Sequence, residues 1–160
     1  LEDVPEMDCL LVAIGGGGLI AGVACALKKL NPQVKIIGVE PLGAPSMYES
    51  VQAGHLISLP DVKTIADTLA TRTVSERTMV LTQRYVDEIV LVSDMQIAGA
   101  MRWLWAECNQ LVEPSGAAAL AAALYGAADM TPYQHPVTLI CGGNVPAEPI
   151  LHAYESSGTK

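Results

Sequence analysis

Four consecutive glycines, Gly15 to Gly18, separate a short apolar run from a segment with helical character. The run is Leu10-Leu11-Val12-Ala13-Ile14, and the segment opens Leu19-Ile20-Ala21-Gly22-Val23-Ala24. This order predicts a buried strand over 10–14, a tight turn, and a helix over 18–30 stopped by Asn31-Pro32. Glycine lacks a Cβ, so its N–H groups can approach an anion and its φ can be positive. The helix N-terminus behind the turn adds unpaired donors and a partial positive charge. The predicted occupant of the turn is a phosphate.

The remaining pattern repeats the alternation of strand and helix. A strand is predicted over 34–39, closed by Glu40-Pro41, and a short helix over 44–53, ended by Gly54. Residues 55–85 lack a clear period and read as loop, short strand and helical turns. A strand follows over 86–92. Ser93 and Gln96 form a capping-box pattern for a helix reaching about Asn109. Glu113-Pro114 starts an alanine-rich helix, with proline in the first turn. The last strand is predicted over 136–140, followed by Cys141-Gly142-Gly143-Asn144. The fold class is α/β: residues 1–160 form one unit, an open, mostly parallel, doubly wound sheet with helices on both faces. Ligands in such folds sit beyond the carboxyl ends of the strands. Gly15–Gly18, Glu40 and Cys141–Asn144 all fall there.

Charge and composition exclude other classes. A net charge of −8 argues against a nucleic-acid partner, which needs a basic face. No apolar run reaches the roughly 18 residues of a membrane span. The acidic start Leu1-Glu2-Asp3 does not read as a signal peptide, so none is expected. Cys9, Cys25, Cys108 and Cys141 show neither paired nor metal-ligand spacing, so free thiols in the cytoplasm are expected. His55, His135 and His152 read as surface residues. Trp103 and Trp105, two apart on a helix, predict one core side chain and one interface side chain.

Three readings of the glycine turn compete. Gly16, Gly18 and Ala21 satisfy G-x-G-x-x-A, with Glu40 placed as the ribose acid of a dinucleotide site in an NAD(P)-binding, Rossmann-like oxidoreductase domain. The turn could instead hold a monophosphate cofactor, or serve packing alone. Later motifs decide between them: Gly38-Val39-Glu40-Pro41, Thr64-Ile65-Ala66-Asp67, Glu113-Pro114-Ser115-Gly116-Ala117-Ala118 and Cys141-Gly142-Gly143-Asn144 follow the glycines in order. Together they resemble the serine/threonine dehydratases and serine racemases, fold-type-II enzymes of the tryptophan-synthase-β-like fold, over roughly residues 8–146.

The resemblance implies pyridoxal 5′-phosphate as cofactor. It places the phosphate on the N–H groups of Gly15, Gly16, Gly17, Gly18 and Leu19, and Glu113 near the ring. Glu113 also reads as an acid favoured by the dipole of its helix. Cys141, followed by Gly142, takes the position facing the pyridine nitrogen. A thiol there, rather than a carboxylate, suits β-elimination. The resemblance also implies a Mg²⁺ or Ca²⁺ site at Glu40 and the Ala44 carbonyl. The third ligand position carries Ser46, which weakens such a site, so Glu40 reads in preference as a solvated loop acid. Thr68 stands where the family commonly has glycine.

The implied reaction removes water from a small hydroxy amino acid, giving a 2-oxo acid and ammonia. None of Lys28, Lys29, Lys35, Lys63 and Lys160 matches the family's cofactor-attaching lysine, so no catalytic residue is expected here. The chain corresponds to the C-terminal, phosphate-bearing half of the family. Alone it is expected to be inactive, and to self-associate through exposed apolar surface. A non-catalytic binding domain derived from the family is the alternative.

Overall fold

The computed structural model describes residues 2–144. His152 and Lys160 lie outside the described residues. Four strands, β1 (Cys9–Ala13), β2 (Lys35–Pro41), β3 (Glu88–Val92) and β4 (Pro136–Thr138), form one parallel sheet in the order β3-β2-β1-β4. Leu11 pairs with Ile37 on one side and Thr138 on the other. The ladder runs past the strand ends, because Ile14 N–H donates to Val39 O and Leu139 N–H to Leu11 O.

Among the described residues five α-helices cover the sheet: α1 (Gly18–Leu30), α2 (Ser46–Ala53), α3 (Glu76–Tyr85), α4 (Asp94–Cys108) and α5 (Pro114–Leu124). Alternation along β1 divides the core. Cys9, Leu11 and Ala13 face the cluster built with α4 and the alanines of α5. Leu10, Val12 and Ile14 face Ile20, Ala24 and Leu27 of α1, with Met47 of α2 and Met79 of α3. Both faces are covered, which is why the strand is apolar throughout rather than alternating. Ala117 to Ala119, Ala121 and Ala122 are fully buried, so their small side chains let α5 lie close to the sheet.

Two expectations change. Residues 76–85 form a full helix, capped where Ser75 Oγ accepts from Thr78 N–H. Trp103 and Trp105 are both exposed, at 41% and 43%. Helix α4 buries the stripe Ile97, Ala100 and Leu104. Residues on either side of Leu104 are each rotated about 100° away from that stripe, so both indoles leave the core. The capping box at Ser93 and Gln96 is present as read, and the four cysteines are free. His55 and His135 lie at the surface.

Asp87 ties the amino-terminal edge of the sheet together. Its carboxylate accepts from Lys28 Nζ at 2.7 Å, Lys35 Nζ at 2.9 Å and Ile36 N–H at 2.9 Å. Burial pushes its pKa up, but the two lysines and the Ile36 N–H outweigh burial and hold it below the usual 3.8. A lowered carboxylate pKa stabilises the fold above the unfolded value and is lost as pH falls. Asp87→Asn should therefore cost about 1–2 kcal/mol at pH 7. Urea unfolding should show that difference shrinking below pH 3.8.

Candidate functional site

The site begins where β1 ends. After Ile14 the chain turns through the glycines, with Gly17 at φ 84° as N-cap of α1. No side chain caps this helix, and its first turn holds no acid. The leading N–H groups of α1 therefore lack intrahelical partners. Thr78 of α3 fixes the turn from behind, its Oγ1 donating to Gly16 O at 3.1 Å.

A second helix opens onto the same space. Glu113 is the N-cap of α5, and its side chain caps nothing. Its carboxylate lies against Gly142 and accepts from Thr68 Oγ1 at 3.4 Å. Glu113 N–H donates to Gly142 O at 3.2 Å, joining α5 to the segment after β4. The Cys141 thiol is held above its usual pKa by burial and by the Glu113 charge, so it keeps its proton at neutral pH.

These parts enclose a cavity of about 250 Å³. Gly15, Gly16, Gly17, Gly18, Leu19, Glu113, Cys141 and Gly142, all singled out from the sequence, line it together. Thr68 and Ser115 line it too, without having been assigned a role from sequence. Thr68 meets the turn closely enough that a Cβ on Gly15 would sit 3.0 Å from its carbonyl oxygen. Ser115 is 3% exposed, and its hydroxyl has no hydrogen-bond partner among the described residues. The signal for Ser115 was present in its place as the second residue of a proline-started helix without a side-chain cap.

Glu40 and Ala44 do not line this cavity. Glu40 is fully buried, which corrects its reading as a solvated loop acid. Its carboxylate turns toward α2 and accepts from Met47 N–H at 2.9 Å and Tyr48 N–H at 2.7 Å. Burial pushes its pKa up to about 7, against the lowering effect of those two N–H groups. A ribose contact through Glu40 is ruled out by the same geometry, since no ligand reaches a fully buried acid. Among the described residues no group of three His, Cys, Asp or Glu side chains could hold a metal ion. None of their helices is long and apolar enough to cross a membrane.

Residues 1–142 match the family described as pyridoxal-phosphate dependent enzyme. The chain belongs to that family. It is 41% identical over 149 residues to a serine racemase of Oryza sativa subsp. indica, covering 91% of this chain and 44% of that protein. It is 39% identical over 124 residues to an L-threonine ammonia-lyase of Thermotoga maritima, covering 78% of this chain and 31% of that one. The structure of maize serine racemase superposes with a TM-score of 0.88 at 37% identity, over 98% of this chain and 49% of that one. The chain thus spans half or less of the length of these relatives, and it has their α/β fold.

Pyridoxal phosphate suits the residues that line the cavity of this family member. An uncapped helix N-terminus without acids matches a phosphate. The unpartnered Ser115 hydroxyl and the protonated Cys141 thiol offer hydrogen bonds to a polar ring. The apolar floor, from Ala13 and Ile20, leaves the rest of the ring to pack.

Proposed function

We propose that this chain forms the cofactor-phosphate side of a pyridoxal-phosphate enzyme that removes water from a small hydroxy amino acid, giving a 2-oxo acid and ammonia. The observation that carries the reading is convergence. Three segments far apart in sequence, around Gly15–Leu19, Glu113 and Cys141–Gly142, meet at one cavity beyond the carboxyl ends of β1 and β4.

When bound, the cofactor supplies an electron sink for charge at the amino acid's α-carbon. The glycine turn and the head of α1 bind its phosphate through backbone N–H groups. Cys141, which lines the cavity, would offer a thiol to the ring nitrogen, where an aspartate would hold that nitrogen charged. A thiol at that position, rather than a carboxylate, would suit elimination of the β-hydroxyl. Burial, with the Glu113 charge adding to it, raises the pKa of the Cys141 thiol, and the Glu113 N–H, bonded to Gly142 O, ties the segment carrying Cys141 to α5. Among the described residues lining the cavity there is no lysine. The part assigned to them is therefore binding and orientation, and the chain alone is proposed not to turn over substrate. The exposed Trp103 and Trp105 support a homo-oligomer, and the four free thiols support a cytoplasmic setting.

The test combines binding with turnover. Titration with pyridoxal phosphate should saturate, while NAD(H) should not bind. The full protein carrying this chain should release 2-oxo acid from L-threonine or L-serine. Saturable NAD(H) binding without pyridoxal phosphate binding overturns the cofactor assignment. Bound cofactor without 2-oxo acid overturns the elimination.

A further inference from the structure

We propose that Glu40 is a positioning residue that holds the glycine turn from behind through α2, and that it does so without a metal ion. The inference rests on the reading that the turn binds a phosphate.

Helix α2 begins without a cap of its own. Its N-cap is Pro45, whose side chain accepts no hydrogen bond. Glu40, at the end of β2, supplies the missing acceptors from another element. Its two oxygens take the N–H groups of Met47 and Tyr48. A carboxylate at a helix N-terminus also meets the positive end of the helix. Met47 and Glu40 are both fully buried, so the arrangement is packed on all sides.

Met47 then carries the position forward. Its Cε occupies the space that a Cβ on Gly17 would need. Gly17 is the N-cap of α1 and lines the cavity. The chain of contacts is therefore Glu40 carboxylate, Met47 N–H, Met47 side chain and Gly17. A shift of α2 removes the support behind the left-handed residue of the turn.

The same geometry does not fit a cation. Both Glu40 oxygens face N–H donors at the positive end of a helix, which repels a cation placed among them. Position 46 carries a serine, and its Oγ is 3.1 Å from Thr71 Oγ1. A divalent ion of this kind needs six or more oxygen ligands with enough negative charge. Here the helix takes the carboxylate that such a site would use.

The test uses 4′-deoxypyridoxine 5′-phosphate, which cannot attach to a lysine, with affinity measured by calorimetry. Glu40→Gln keeps the volume and loses one of the two acceptors, so its affinity should fall about tenfold. Met47→Ala should fall similarly. The double variant should be no weaker than either single one, since the two act along one path. Wild-type affinity and Tm should be unchanged between EDTA and millimolar Mg²⁺ or Ca²⁺. Unchanged affinity in Glu40→Gln, additive losses in the double variant, or a metal-dependent wild type each overturn the inference alone. A wild type that does not bind the probe overturns the phosphate reading itself.

Discussion

Gly17→Ala is expected to abolish measurable phosphate binding while the sheet still forms. At φ 84° an L-residue carries a penalty of about 1–2 kcal/mol. The added Cβ would also overlap Met47 Cε and lie 2.9 Å from Thr78 Cβ. Met47 is buried and Thr78 is tied to Gly16 O, so neither can move away freely. The turn must lift from α3, and the leading N–H groups of α1 lose their common direction. The combined strain is on the order of 2–4 kcal/mol, or a loss of at least about 100-fold in affinity. Gly22→Ala is the control. It lies inside α1 with nothing within 4 Å of a new Cβ, and should stabilise the helix by about 0.5–1 kcal/mol without affecting binding. Calorimetry and thermal melts of the two variants separate site damage from general instability.

Gly116→Ala should damage the opposite wall. A Cβ there would collide with the Cys141 carbonyl oxygen and lie 2.9 Å from its carbon and 2.7 Å from Val112 Cγ1. The carbonyl is backbone, so relief requires α5 and the segment after β4 to part. That separation strains the Glu113 N–H to Gly142 O bond and draws Cys141 away from the cavity. The cost should be about 3 kcal/mol, or about 6–12 °C in Tm for a chain of this size. Binding should fall with stability, unlike in Gly22→Ala.

Local signals made much of this fold readable. Helix α1 runs from Gly18 to Leu30 as predicted, because glycine opens it and Asn31-Pro32 closes it. Helix α3 escaped because Glu76–Tyr85 is polar on most sides, with only Met79 and Thr82 buried. Its Ser75 cap was the available sign. The two tryptophans failed for a geometric reason: residues flanking a buried leucine on a narrow stripe both face outward. In the site, motifs whose backbone does the work were legible, and long-range side-chain contacts were not. The hydrogen bond from Thr68 to Glu113 spans 45 residues, so no local pattern announces it. Glu40 could have turned to solvent or inward from the same sequence. Only the packed fold reveals the uncapped start of α2 that it satisfies.

The central claim is that the glycine turn and the head of α1 bind a phosphate. Calorimetry with 4′-deoxypyridoxine 5′-phosphate and with its unphosphorylated parent tests it most directly. The phosphate should strengthen binding by at least about 100-fold, or about 2.8 kcal/mol. Gly17→Ala should erase that difference. Equal affinity of the wild type for the two compounds would contradict the account.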